Sequence, residues 1–334
     1  MTYINHQVRL GSRPVGLPTT EDWRHTEEPL GEPAEGEFVV RIRYLSLDPA
    51  MRGWMNDVRS YVPPVGIDEV MRAGGAGVVI ASRHPGFPEG QHVTGAFGVQ
   101  EYAISDGVGV VTVDADLAPL TTYLGALGMP GLTAYFGLLD IGRPVAGETV
   151  VVSGAAGAVG SIVGQIAKRV GCHVVGIAGG PEKCAWLTDD LGFDAAIDYK
   201  AGDVRGGLRA HAAKGVDVYF DDVGGDILDD NLARLRRGAR VVICGAISQY
   251  NTTGAVKGPS NYLSLLVNRA SMTGMVVFDY ADRYPEGIAA MAGWLADGSL
   301  IAREQVATGG IDQFPEALLK LFAGENTGKL VLEI

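Results

Sequence analysis

Ser153-Gly154-Ala155-Ala156-Gly157-Ala158-Val159-Gly160 follows a run of valines, Val150 to Val152, and leads into Ile162, Val163, Ile166, Ala167 and Val170 at helical spacing. Gly171 stands where a helix stop belongs. A buried strand, a glycine turn and an amphipathic helix in that order read as a dinucleotide-binding turn. Gly154 lets the backbone bend, Gly157 lets it approach a pyrophosphate, and Gly160 packs the helix close to its strand. Backbone N–H groups around Ala156, Ala158 and Val159 then face the anion. In a chain with 48 glycines the spacing alone carries little; the placement between strand and helix carries the reading. It points to a nicotinamide or flavin cofactor.

The rest of the chain bounds the class. With 334 residues, 47% of them hydrophobic, it is long enough for two globular domains. Lys and Arg number 27 against 39 Asp and Glu, a net charge of −12. That balance, with no basic run, argues against nucleic acid, whose phosphates demand clustered cations. The long charge-free stretch from Leu117 to Leu139 is broken by Pro119, Gly125, Gly128, Pro130, Gly131 and Gly137, so it reads as a domain junction and not a membrane span. Met1 to Leu10 shows no secretion signal. Three scattered cysteines, Cys172, Cys184 and Cys244, suit reduced thiols. A cytoplasmic location is expected.

Two textures divide the chain near Leu120. Before it come short strand candidates between glycines and prolines: Phe38 to Leu47, Gly77 to Ser82, His92 to Phe97, Tyr102 to Ser105 and Val108 to Val113. After it, strands alternate with helices: Val150 to Ser153, His173 to Ala178, Ala195 to Tyr199, Asp217 to Phe220, Arg240 to Cys244 and Gly274 to Phe278. This alternation predicts an α/β fold with a Rossmann doubly wound parallel sheet. A helix near Phe314 to Phe322 and a strand Lys329 to Glu333 exceed what six strands need, and the tail is expected to rejoin the first domain. The expected division is 1–121 for a β-rich domain, 122–298 for cofactor binding and 299–334 for the returning segment.

A glycine fingerprint near residue 150 after a β-rich domain resembles the medium-chain dehydrogenase/reductase superfamily over essentially the whole chain. The resemblance implies that the β-rich domain is GroES-like and catalytic. Zinc members carry Gly-His-Glu before a Gly-Val-Val strand; here the stretch is Arg72-Ala73-Gly74-Gly75-Ala76-Gly77-Val78-Val79. All three cysteines lie in the cofactor half, and the six histidines show no ligand spacing, so no metal is expected. Within the zinc-independent branch the chain resembles the NADP-dependent alkenal, prostaglandin and leukotriene reductases, including bacterial curcumin-reductase-like members. The stretches that carry this are Tyr44 to Gly53 (YLSLDPAMRG), Ser60 to Val65 (SYVPPV), Gly128 to Tyr135 (GMPGLTAY), Asp217 to Gly225 (DVYFDDVGG) and Glu325 to Lys329 (ENTGK).

Chemistry bears on the choice of cofactor. About 20 residues past the glycine turn an NAD enzyme places an acid on the ribose 2′-hydroxyl. Here the strand ends in Ala178-Gly179-Gly180-Pro181-Glu182-Lys183, with no acid at the strand end itself. Lys183 and Tyr199 match the family's 2′-phosphate-reading lysine and tyrosine and supply suitable donors, although Glu182 sits beside the lysine. NADPH is therefore expected over NADH.

The reaction implied by the resemblance reduces a carbon–carbon double bond conjugated to a carbonyl. Charge builds on the carbonyl oxygen, so without a metal a hydroxyl donor is needed there. Tyr262 is the first choice and Tyr61 the second. Cys244, Ile247, Phe278 and, on its resemblance alone, Asn326 complete the expected cofactor contacts, with Cys244 a buried filler and not a nucleophile.

Three departures touch substrate and cofactor. Ala50 and Val99 stand where the family often has aromatics, which predicts a roomier pocket if they face substrate. Asp222 stands where asparagine is common. An NADPH quinone reductase and a non-catalytic nucleotide-binding or redox-sensing oligomer remain the alternative readings. The expected partner is a second copy, paired through the sixth strand between Ser271 and Phe278.

Overall fold

The computed structural model describes residues 3–334. The chain forms two compact units, residues 1–124 together with 304–334, and residues 125–303. Strands β1 (Ile4–Leu10), β2 (Trp23–Pro29), β3 (Phe38–Ser46), β4 (Gly75–Ser82), β5 (His92–Gly95), β6 (Tyr102–Ser105) and β7 (Val111–Thr112) come first. Then follow β8 (Thr149–Ser153), β9 (His173–Ala178), β10 (Ala195–Asp198), β11 (Val216–Asp221), β12 (Leu235–Ile243) and β13 (Ser271–Gly274). The last two are β14 (Glu304–Ala307) and β15 (Lys329–Glu333).

In the first unit, β14-β15-β3-β4-β5-β7 form one sheet, with β6 also on β3. Phe38, Val40 and Ile42 alternate inward along β3 as period-2 burial requires, meeting Val8, Leu10, Met51, Met55, Phe314 and Leu318 in one core. The tail enters this unit because β15 pairs antiparallel with β3, Val331 opposite Ser46. Strands β1 and β2 make a separate antiparallel ribbon. They escape sequence patterning because β2 is charged on both faces and buries Trp23 alone. The strands expected at His92 to Phe97 and Val108 to Val113 are shorter, since Gly98, Gly107 and Gly109 all adopt positive φ and turn the chain out of the ladder.

The second unit holds a six-stranded sheet in the order β10-β9-β8-β11-β12-β13, parallel throughout. β8 and β11 are buried at every residue, which is why they read as unbroken apolar runs instead of alternating ones. The sixth strand corrects the expectation of Gly274 to Phe278. It ends at Gly274, Met275 N–H still bonds Ile243 O at 2.9 Å, and residues Val277–Arg283 then coil as a 3₁₀ helix leading into the helix Tyr284–Ala296. Phe278 therefore lies beyond the sheet. Strand order reverses between β8 and β11, and in such sheets the crevice at the carboxyl ends of the strands at that point is where ligands bind. Among the described residues no helix is long and apolar enough to cross a membrane.

Candidate functional site

Three turns meet at that switch point. The first follows β8, where Gly154 takes φ +58, and Gly157 N–H returns to Gly154 O at 2.8 Å. A Cβ on Gly160 would fall 2.5 Å from that same carbonyl oxygen and 2.8 Å from Ala155 Cα, so the helix Gly160–Val170 starts in contact with the turn itself. Close helix packing against neighbouring structure comes one turn later, at Gly164, where a Cβ would sit 1.8 Å from the Phe193 ring. No side chain caps the helix start. Ser161 N–H and Ile162 N–H are taken by Gly157 O at 3.1 Å and Val159 O at 3.0 Å, so an anion would meet the N–H groups of the turn just ahead of them. The turn fits a pyrophosphate.

The second turn follows β11. Asp221 Oδ1 accepts from Ser153 Oγ at 2.9 Å, Tyr219 Oη at 2.7 Å, Val223 N at 3.1 Å and Gly224 N at 2.9 Å. Asp222 N donates to Ser153 Oγ at 3.0 Å, which locks this turn onto the end of β8. The third turn follows β12: Ile247 N bonds Asp222 O at 3.3 Å, and Ser248 Oγ bonds Val223 O at 2.6 Å. Gly154–Val159, Asp222–Gly224 and Cys244–Ile247 are so brought to one edge because β8, β11 and β12 are parallel neighbours. Desolvation, with Asp222 beside it, holds the Cys244 thiol well above its ordinary range. It is a poor nucleophile there.

At the other side of β8 the ends of β9 and β10 close on each other. Asp198 Oδ1 accepts from Gly180 N at 2.8 Å and from Lys200 N at 2.9 Å. The Tyr199 ring lies over Gly179 so tightly that a Cβ there would be 2.9 Å from the hydroxyl. Lys183 is half-buried, and desolvation followed by the charge of Lys200 lowers its pKa. The charge of Lys200 is thus felt at Lys183, and Tyr199, next to Lys200 in the chain, is 40% exposed. Sequence reasoning missed Lys200. Its signal was adjacency to Tyr199 at a strand end, and only the pairing of β10 with β9 gives it meaning.

Tyr262 is the cap residue of the helix Leu263–Asn268 and is 59% exposed. Its loop is pinned by Asn261, whose N–H reaches Asp229 Oδ1 at 2.6 Å. In the other unit Tyr61 is 55% exposed, on a stretch held where Arg72 Nη1 bonds Pro63 O at 2.9 Å. Asn326 Nδ2 bonds Gly328 O at 2.9 Å, within its own turn. Two of the matching stretches meet beside it: Lys329 Nζ, buried, bonds Leu47 O at 2.8 Å and Asp48 Oδ1 at 2.7 Å. Val99 is wholly buried in the core of its unit, so its small size fills a packed interior and does not enlarge an open pocket. Ala50 remains part-exposed. Among the described residues no group of three or more His, Cys, Asp or Glu side chains is arranged to hold a metal ion.

Known proteins share this fold. The family description "N-terminal domain of oxidoreductase" matches residues 6–113, and "Zinc-binding dehydrogenase" matches residues 158–293. The NADPH-dependent curcumin reductase of Escherichia coli (strain K12) is 42% identical over 99% of this chain and 97% of its own. The chain belongs to the NADP-dependent reductases of the medium-chain dehydrogenase/reductase superfamily. Its two units are accordingly the GroES-like and Rossmann domains of that superfamily. The NADP(+)-dependent 2-alkenal reductase of Nicotiana tabacum is 38% identical over 99% of the chain and 97% of its own length. The crystal structure of CurA from Vibrio vulnificus in complex with NADPH shares 47% identity and a TM-score of 0.93, covering 98% of each chain.

Proposed function

We propose that this protein is an NADPH-dependent oxidoreductase that reduces the carbon–carbon double bond of α,β-unsaturated aldehydes or ketones. The observation that carries the reading is the convergence of Lys183, Tyr199 and Lys200 on the paired ends of β9 and β10, where Tyr199 lies over Gly179 and the charge of Lys200 is felt at Lys183, on a sheet whose switch point holds a glycine turn. The relatives named for NADPH-dependent curcumin reduction and NADP(+)-dependent 2-alkenal reduction, each matched over 97% of its own length, support it.

Gly154, Ala156, Gly157, Ala158, Val159 and Gly160 would hold the pyrophosphate, Gly179, Lys183, Tyr199 and Lys200 the 2′-phosphate, and Cys244, Ile247 and Phe278 the nicotinamide end, with Asn326 a further contact. When bound, the cofactor supplies a hydride for the β-carbon. The chain's part is to stabilise what results. Negative charge gathers on the substrate carbonyl oxygen, and the Tyr262 hydroxyl would donate a hydrogen bond to it, Tyr61 being the alternative donor. A tyrosine hydroxyl also serves as proton source for the α-carbon. The stretch from Arg72 to Val79 offers no zinc ligand where zinc members carry theirs, so the polarising role falls to hydroxyls.

Tyr262→Phe is expected to lower kcat about 10- to 100-fold, the order of one oxyanion donor, while the NADPH dissociation constant stays within about twofold. Steady-state kinetics and a fluorescence titration check it; an unchanged rate removes Tyr262 from the mechanism. The function itself is tested by NADPH oxidation against enals, enones and quinones, with products identified. Saturated carbonyl products support it. Quinol formation without enone turnover favours a quinone reductase, and tight binding without turnover favours a non-catalytic nucleotide-binding role.

The same reading includes a homodimer in the cytoplasm. β13 pairs with β12 on one side only and is exposed at all four residues, with Met272 among them. Leu263, Leu266 and Val267 are exposed on the adjoining helix, Leu266 at 73%. An open sheet edge beside exposed apolar side chains of this kind suits pairing with a second copy. Leu266→Asp is expected to convert the dimer to monomer in light scattering, and a monomeric parent protein overturns the pairing. Cys172, Cys184 and Cys244 are free thiols, which supports a reducing compartment.

A further inference from the structure

The Asp222 carboxyl sits where the three turns of the switch point meet. The position of a Cβ on Gly154 lies 3.2 Å from Asp222 Cβ and 3.9 Å from Asp222 Oδ2. That Oδ2 is sealed from solvent and has no hydrogen-bond partner. An ionised carboxylate in such a place is costly, whereas a neutral acid tolerates it. We propose that Asp222 is held as a neutral carboxylic acid beneath the glycine turn, and that its ionisation in alkaline solution expels the anionic cofactor. The inference rests on the proposed cofactor reading and makes Asp222 a positioning residue of that site.

The surroundings of the carboxyl agree. Desolvation pushes it up to about 8; a hydrogen bond from the Cys244 thiol to the carboxyl acts in the opposite sense, and the charge of Asp221 adds to the rise. The titratable groups facing it are few. From its own strand come Asp221 and, on Asp221 Oδ1, the Tyr219 hydroxyl. Cys244 faces it from the end of β12. From the turn that follows, the Tyr250 hydroxyl accepts from Ala246 N at 3.1 Å near the Asp222 backbone carbonyl. The glycine turn from Gly154 to Gly160 contributes no charged side chain, and no cation from these elements offsets a charge on Asp222. A pyrophosphate seated on the turn would meet a like charge through little water, where repulsion is large. Asparagine at this position would keep the same shape with no charge to lose.

The test compares the parent protein with Asp222→Asn by titrating NADPH from pH 6 to pH 9.5. If only the neutral acid binds, the apparent dissociation constant of the parent at pH 9 is about tenfold that at pH 7, because binding then scales with the neutral fraction. The asparagine variant is expected to stay within about twofold over the same interval. The cofactor's 2′-phosphate titrates near pH 6 and is common to both proteins, so the difference between them isolates Asp222. Parallel profiles overturn the inference while leaving the cofactor reading intact. Absence of NADPH binding to either protein at every pH overturns that reading and this inference with it.

Thermal unfolding without cofactor gives an independent measure. A carboxyl whose folded value is raised binds its proton more tightly in the folded state, so its stabilisation is complete below the ordinary carboxylate range and is lost as pH rises towards 8. The parent's Tm is thus expected to fall relative to the Asp222→Asn variant between pH 5 and pH 8. A constant difference across that window overturns the neutral acid.

Discussion

Gly160→Ala is expected to weaken NADPH binding by about a hundredfold or more and to lower stability by roughly 1–3 kcal/mol, the range of overpacking at a rigid site. The new Cβ would stand 2.5 Å from Gly154 O and 2.8 Å from Ala155 Cα, both backbone atoms. A flexible side chain could swing aside; these atoms cannot without opening the turn. Gly154 O also accepts the Gly157 N–H, so displacing it loosens the segment that would hold the pyrophosphate. Gly157→Ala is the control, since its Cβ would meet Gly154 O at 3.1 Å and nothing else. Fluorescence titration and thermal unfolding of both variants check the ranking. Equal losses in the two would show that anion approach at Gly157 matters as much as the packing of Gly160.

Second in size is the loss of cofactor preference on removing the two lysines. Lys183→Ala is expected to reduce the ratio of kcat/KM for NADPH over NADH about 10- to 100-fold, since a hydrogen bond to a charged group contributes about 1.5–3 kcal/mol. Lys200→Ala is expected to act in the same direction with a smaller loss, because Lys200 is exposed and more strongly screened. The lysines are neighbours, and Lys200 lowers the pKa of Lys183. Their effects are therefore expected to couple. A double-mutant cycle on the NADPH-to-NADH ratio measures that coupling directly. NADH turnover should change little in any of the variants. A fall in NADH turnover equal to that with NADPH would assign both lysines to folding.

Much of the site was legible because its elements are local. The glycine turn needs only β8, six residues and the helix after it, and all of these lie within one stretch of sequence with the spacing that the backbone demands. The parallel sheet was legible for a related reason: strands buried on both faces are written as apolar runs such as Val150 to Val152. The ribbon of β1 and β2 was not, since a polar strand with one buried tryptophan has no periodicity to read. The end of β13 was misplaced because Met275 to Phe278 is apolar enough for a strand, and only the absence of a ladder beyond Gly274 turns it into a coil.

The sequence by itself determined the α/β class, the family, the turn that would receive the pyrophosphate and the residue types suited to NADPH. Those depend on backbone conformation and on side-chain chemistry, which short segments encode. Tertiary structure alone decided which distant residues act together. Lys200 joins Lys183 because β10 pairs with β9, Val99 is core because the chain around it is enclosed, and Lys329 finds Asp48 through the packing of β15 on β3. Asp222 gains its character in the same way. A carboxyl of ordinary acidity in the sequence acquires a sealed Oδ2 and a raised pKa once Gly154, Asp221 and Cys244, far apart or adjacent along the chain, close around it.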